Sequence, residues 1–166
     1  CVSRNHHQHE VLSVKTGFLS VTQDGHVVTV TIRRPERKNA MSQEMWRELA
    51  RIYAKLSSDG TARVVILEGA GGDFCSGADI SEFDQVRADA TSARSYERDN
   101  SRAFAAIRTC PVPTIASIKG VCFGGGFGLA AACDLRIADP TAVFSVPAAR
   151  LGLAYPVDAM ADIVNA

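Results

Sequence analysis

Apolar and polar positions alternate along residues 18–23 and again along 26–33 (HVVTVTIR), the period-two pattern of strands with one buried face. Asp24-Gly25 between them predicts a two-residue hairpin turn. From Ser42 the period lengthens. Met45, Trp46, Leu49, Ile52, Tyr53 and Leu56 recur at helical spacing behind a serine N-cap, and the helix is predicted to end within 57–60. Two later stretches share one design: RVVILE (63–68) and the run from Thr114 are buried-strand patterns, and each leads into glycines. Between them, residues 81–108 read as a charged helical region whose part 88–95 is polar enough to predict a mobile or lid-like segment, followed by the punctuation Cys110-Pro111-Val112-Pro113. A short helix is expected over 129–132, strands over 135–138 and 142–146, and the start of a helix over 156–166. The order strand, strand, helix recurs without a fixed repeat length. It predicts an α/β fold, a spiral of ββα units around one core. Residues 1–16 are polar and aperiodic and read as a disordered or tag-like tail, leaving 17–166 as one domain. The helical pattern still runs at Asn165-Ala166, so a continuation is expected beyond them.

Composition narrows the function classes. Eighteen basic residues balance eighteen acidic ones in 166 residues, so the electrostatic footprint of a nucleic-acid or membrane-surface binder is missing. No apolar run reaches membrane-spanning length and the opening CVSRNHHQHE lacks a signal-peptide core, which predicts a cytoplasmic protein. Five cysteines (Cys1, Cys75, Cys110, Cys122, Cys133) without C-x-x-C spacing read as reduced thiols. No metal site is expected: His6, His7 and His9 belong to the tail. Trp46 and the methionines are assigned to the core.

The glycine loops carry the chemistry. In TIASIKGVCFGGGFGLAAACD (114–134), Gly124, Gly125 and Gly126 lie between a strand and a helix start, where no Cβ obstructs a ligand and unpaired N–H groups face it. One such loop serves equally to pack helix on sheet. The second, GAGGDFCSGADI (69–80), again ends at a helix start, so donors from two sides can converge on one oxygen as in an oxyanion hole.

In this order, RPERKNAMS, VVILEGAGGDFCSGADISEF, PTIASIKGVCFGGGFGLAAACDLRIAD and FSVPAARLGLAY resemble the crotonase superfamily, the enoyl-CoA hydratase and isomerase family. The resemblance implies the spiral ββα fold, a C-terminal helical region absent from this sequence, a trimer or dimer of trimers, and acyl-CoA thioesters as ligands, with coenzyme A entering as part of the substrate. It assigns the oxyanion donors to the N–H groups of Ala78 and Gly125. It also implies coenzyme A contacts at Arg37, Lys38, Ala40, Ser76, Asp79, Ile80 and Gly124, largely through the backbone. One departure matters. Where hydratases of the family carry their two glutamates this sequence has Gly128 and Ala148, and the aspartate of dienoyl-CoA isomerases falls on Pro156. The expected activity is therefore enolate stabilisation of an acyl-CoA thioester without the usual acid–base pair. One alternative is decarboxylation of a malonyl-type thioester, which needs no base, with Tyr155 of LGLAY orienting the carboxylate or guiding protonation; the resembled decarboxylases carry histidine where Ala78 stands. Another is a noncatalytic acyl-CoA binder. Asp158 is a reserve proton carrier, while Glu82 and Asp84 suit helix N-termini. A dinucleotide-binding reading of Gly124, Gly126 and Gly128 fails because the spacing is G-x-G-x-G and no acidic residue ends a second strand at the required distance.

Overall fold

β-Branched residues recur along the main sheet, one face of which is buried and the other more open. In the computed structural model, which describes residues 12–152, 154–155 and 157–165, β1 (Leu12–Thr16), β2 (Leu19–Asp24) and β3 (Val27–Ile32) run antiparallel to one another. β4 (Val64–Gly69), β5 (Thr114–Ile118) and β7 (Leu135–Ala138) then extend the sheet in parallel, giving the order β1-β2-β3-β4-β5-β7. Val28, Val30 and Ile32 of β3 and Val65 and Leu67 of β4 are fully buried.

Two local expectations shift. Residues 12–16, assigned to the tail, form β1, paired to β2 through a turn at Gly17 (φ 54°). The hairpin turn falls one residue later than Asp24-Gly25, since Asp24 pairs with Val27 and leaves Gly25-His26 as the loop. Gly25 takes φ 57°, and the first loop position is where glycine relieves a positive φ in the turns that match strand twist. Residues 1–11, with His6, His7 and His9, lie outside the described residues.

Each parallel strand is followed by a second extended stretch and then a helix. Met41 follows β3 and bridges Ala78; Cys75 follows β4 and bridges Cys122 of β6 (Val121–Phe123), which pairs in parallel with β8 (Val143–Ser145). Behind this second row start α1 (Gln43–Asp59), α2 (Phe83–Val86) with α3 (Ala90–Arg108), α4 (Gly125–Ala132) and α5 (Val157–Asn165). This is the expected ββα spiral. It places Ala78 and Gly125 at the exits of neighbouring second-row stretches.

The helices follow their sequence signals. Ser42 Oγ accepts the Met45 N–H at 3.2 Å and Gly60, at φ 70°, closes α1. Glu82 accepts the Gln43 N–H at 2.9 Å, so it caps α1 from across the site. The region 81–108 divides into a 3-10 turn, α2 and α3, and the segment predicted as lid-like opens α3 under a capping box of Asp89 and Ser92. On α1, Trp46, Leu49 and Tyr53 are wholly buried.

Candidate active site

The basic loop 33–40 is bound to the first glycine loop by Asn39, buried at φ 56°. Its amide donates to the carbonyls of Ala70 (2.9 Å) and Asp73 (2.7 Å), and its oxygen accepts the Arg34 N–H (2.9 Å). Arg34 Nη1 in turn meets Asp79 Oδ2 at 2.7 Å. Burial alone would raise the Asp79 carboxyl, but Ser81, donating from both Oγ and N–H, and the Arg34 guanidinium outweigh it and hold the group below its ordinary value. A lowered folded value stabilises the protein above the unfolded carboxyl range, near pH 4, and that contribution fades as pH falls through the folded value. Asp79→Asn should therefore cost about 2 kcal/mol in urea unfolding at pH 7, with the gap to wild type narrowing at pH 3. A constant gap would detach Asp79 ionisation from the loop's stability.

Between the two glycine loops lies a cavity of about 130 Å³. Trp46, Phe83, Phe104 and Pro147 supply apolar wall, and Ala78 and Gly125 lie on it together. Gly125 is the first residue of α4, so its N–H has no intrahelical partner. Around Ala78, Met41 donates to the Gly77 carbonyl and Asp79 donates to the Met41 carbonyl, which passes over the Ala78 N–H. Among the described residues neither the Ala78 nor the Gly125 N–H has a backbone acceptor. The two are close neighbours: a methyl on Gly125 would stand 3.7 Å from the Ala78 nitrogen, and one on Gly77 would stand 3.0 Å from the Gly125 nitrogen. Two free donors on one small apolar cavity fit an oxygen that gains negative charge during reaction.

The other expected contacts divide. Ser76, Ile80 and Gly124 line the cavity. Arg37 and Lys38 are exposed and lie off the wall, tied to it because their carbonyls accept from Ser76 Oγ (3.3 Å) and Ser76 N–H (2.9 Å). The Ala40 N–H is used by Arg37, while its carbonyl accepts from Arg34 Nη1 at 3.3 Å and keeps a second lone pair. Asp79 is turned inward, with its N–H spent on Met41 and its carboxylate on Arg34 and Ser81.

Tyr155 reaches the cavity, but its hydroxyl donates to the Gly124 carbonyl at 2.8 Å. Burial pushes the phenol up to about 12. The sequence predicts that this hydroxyl orients a carboxylate or guides the final protonation; in the structure it is engaged with the Gly124 carbonyl. The Asp158 side chain lies outside the described residues. Gly128 is packed: a Cβ there would stand 2.8 Å from Tyr155 Oη and 2.9 Å from Phe104 Cζ. Ala148 instead opens on the cavity.

The α3 wall of the cavity, with its carboxylate, escaped sequence reasoning. Among the described residues lining the cavity, the carboxylate is Glu97 of α3, with Arg87 Nη1 3.9 Å from its Oε1. Its signal was the face Tyr96, Asn100 and Phe104, spaced by four on α3 and all on the cavity wall. The charged composition of 81–108 hid that stripe. The buried thiols of Cys75, Cys122 and Cys133 are pushed up to about 12, chiefly by desolvation, and suit packing rather than nucleophilic attack.

Comparison with known proteins bears on the family and the fold. The family model described as enoyl-CoA hydratase/isomerase matches residues 22–164. A mitochondrial Delta(3,5)-Delta(2,4)-dienoyl-CoA isomerase of Mus musculus is 40% identical over 141 residues, covering 80% of this chain and 43% of that protein. An enoyl-CoA hydratase of Alternaria alternata, ACTT6, is 40% identical over 144 residues, covering 87% and 46%. Among solved structures, an enoyl-CoA hydratase/carnithine racemase from Magnetospirillum magneticum superposes with a TM-score of 0.87 at 39% identity, covering 91% of this chain and 57% of that one. The chain spans about half the length of the curated relatives it matches.

Proposed function

The chain belongs to the enoyl-CoA hydratase/isomerase family, and from that premise we propose that its cavity binds the thioester of an acyl-CoA and stabilises its enolate. The observation behind this reading is the pair of N–H groups on Ala78 and Gly125, without a backbone acceptor among the described residues and set side by side on an apolar wall. The thioester oxygen accepts both. When the bond from C2 to a proton breaks, its electron pair moves through the carbonyl onto that oxygen, where both donors bind most tightly. Coenzyme A enters as part of the substrate, and the exposed Arg37 and Lys38 beside Ser76 suit its phosphates.

Proton transfer is assigned to Glu97. Positions 128 and 148 carry no carboxylate, and Tyr155 is committed to Gly124. A single carboxylate suffices for moving a double bond: it takes a proton from C2 of a 3-enoyl thioester and returns it to C4, leaving the 2-enoyl product. Incubating a 3-enoyl-CoA in deuterated water and following isomer and label by mass spectrometry tests the assignment. Glu97→Gln should slow both by about 10²-fold. Unchanged turnover removes Glu97 from the mechanism. A second reading, decarboxylation of a malonyl-type thioester, is favoured by the two missing glutamates, because loss of carbon dioxide leaves its electrons to the same oxyanion hole without a base. Carbon dioxide release that survives Glu97→Gln would support it. Saturable binding with no turnover of any of these thioesters would leave a noncatalytic binder.

A further inference from the structure

We infer that Tyr155 is a positioning residue for the oxyanion donor of Gly125, a role that rests on the enolate-stabilising reading above. The Gly124 carbonyl and the Gly125 N–H are the two ends of one planar peptide, so whatever grips the carbonyl aims the N–H. Two donors grip it: Tyr155 Oη at 2.8 Å and the Gly128 N–H at 3.0 Å. The grip matters here because the peptide follows a residue of unusual freedom. Gly124 sits at φ 47°, a conformation that L side chains rarely adopt, and it has no side chain of its own to anchor the peptide that follows. A hydrogen bond to the carbonyl also draws electron density from the amide and strengthens the N–H as a donor, since hydrogen bonds in a chain polarise one another.

The glycine at position 128 then acquires a reason. A Cβ there would stand 2.8 Å from Tyr155 Oη, so any side chain would displace the hydroxyl from the Gly124 carbonyl. The space that a side chain would fill is occupied by the group that holds the oxyanion donor in place.

Acetoacetyl-CoA provides the probe, because it ionises to an enolate whose charge is shared with the thioester oxygen and whose near-ultraviolet absorbance reports the ionised fraction. Bound to the wild-type protein it should ionise at lower pH than free in solution. In Tyr155→Phe, which keeps the ring, its acid dissociation constant on the protein should fall about three- to tenfold, the range of one neutral hydrogen bond. The affinity for a saturated acyl-CoA, which develops no charge, should hold. Gly128→Ala should reproduce the loss, and adding it to Tyr155→Phe should change the ionisation no further, as expected for two residues acting through one contact. Equal ionisation on wild type and Tyr155→Phe overturns the positioning role while leaving the oxyanion hole intact. Ionisation on the wild type no different from that in solution overturns the enolate-stabilising reading itself, and the role of Tyr155 with it.

Discussion

Ala148→Glu should raise hydration of a short 2-enoyl-CoA by about 10²- to 10⁴-fold, the usual yield of a positioned general acid or base, whereas Gly128→Glu should raise it not at all. Both positions fall where hydratases of the resembled family carry glutamate, so sequence alone treats them as equivalent. The structure does not. Ala148 lies in the 3-10 turn Pro147–Leu151 and opens on the cavity that holds the Ala78 and Gly125 N–H groups, so a longer side chain there extends into free space. At Gly128 the first carbon of a side chain already meets Tyr155 Oη at 2.8 Å and the Phe104 ring at 2.9 and 3.0 Å. These are closer than real Cβ atoms approach. Phe104 is also pinned edge-on against the buried Trp46, with ring centroids 5.6 Å apart, and cannot withdraw cheaply. Gly128→Glu should therefore lose stability by overpacking, typically about 1–3 kcal/mol, and loosen the Tyr155 contact before its carboxylate reaches a substrate. Steady-state hydration of crotonyl-CoA, with thermal unfolding of each variant as the control for folding, separates the two. A gain from Gly128→Glu, or none from a folded Ala148→Glu, would mean that the cavity is assigned to the wrong walls.

What the sequence made legible was whatever depends on neighbours in the chain. The serine cap of α1, the buried strand runs and the two glycine loops are local patterns, and the structure builds elements on each of them. The loops themselves indicated only that two strand–loop–helix units can face one oxygen; the choice of Ala78 and Gly125 as the paired donors came from the family resemblance. What stayed hidden depends on contacts across long stretches of chain. Asp79 belongs to a motif of the resembled family, yet its N–H is used by Met41 and its carboxylate by Arg34, residues about forty positions earlier in the chain. The exchange between Gly128 and Tyr155 joins residues 27 positions apart, and nothing in either segment announces it. Glu97 was obscured for another reason: it is itself an exposed carboxylate on a helix rich in charges, and only its place on the cavity wall sets it apart from its neighbours.

Gly126→Ala should be the most destabilising of the single-methyl changes in the glycine triplet, at about 4 kcal/mol, the scale reserved for a fault in the backbone core. A Cβ at Gly126 would lie 2.2 Å from the Cys75 carbonyl oxygen and 2.8 Å from Cys75 Cβ. That oxygen cannot yield. It accepts the Phe123 N–H at 2.9 Å, while the Cys75 N–H donates to Val121 at the same distance, so the residue is fixed on both sides in the second row of strands. The first turn of α4 must instead lift from the sheet, carrying the Gly125 N–H away from that of Ala78. Turnover should therefore fall together with stability, and at about 2–4 °C per kcal/mol for a domain of this size the melting temperature should drop by about 8–16 °C. Gly72→Ala provides the contrast, because a Cβ there meets nothing within 4 Å and its φ is not positive; its cost should stay within about 0.5 kcal/mol. Similar melting temperatures for the two variants would show that α4 is not seated on Cys75. The separation of Ala78 and Gly125, on which the proposed enolate stabilisation rests, would then need another support.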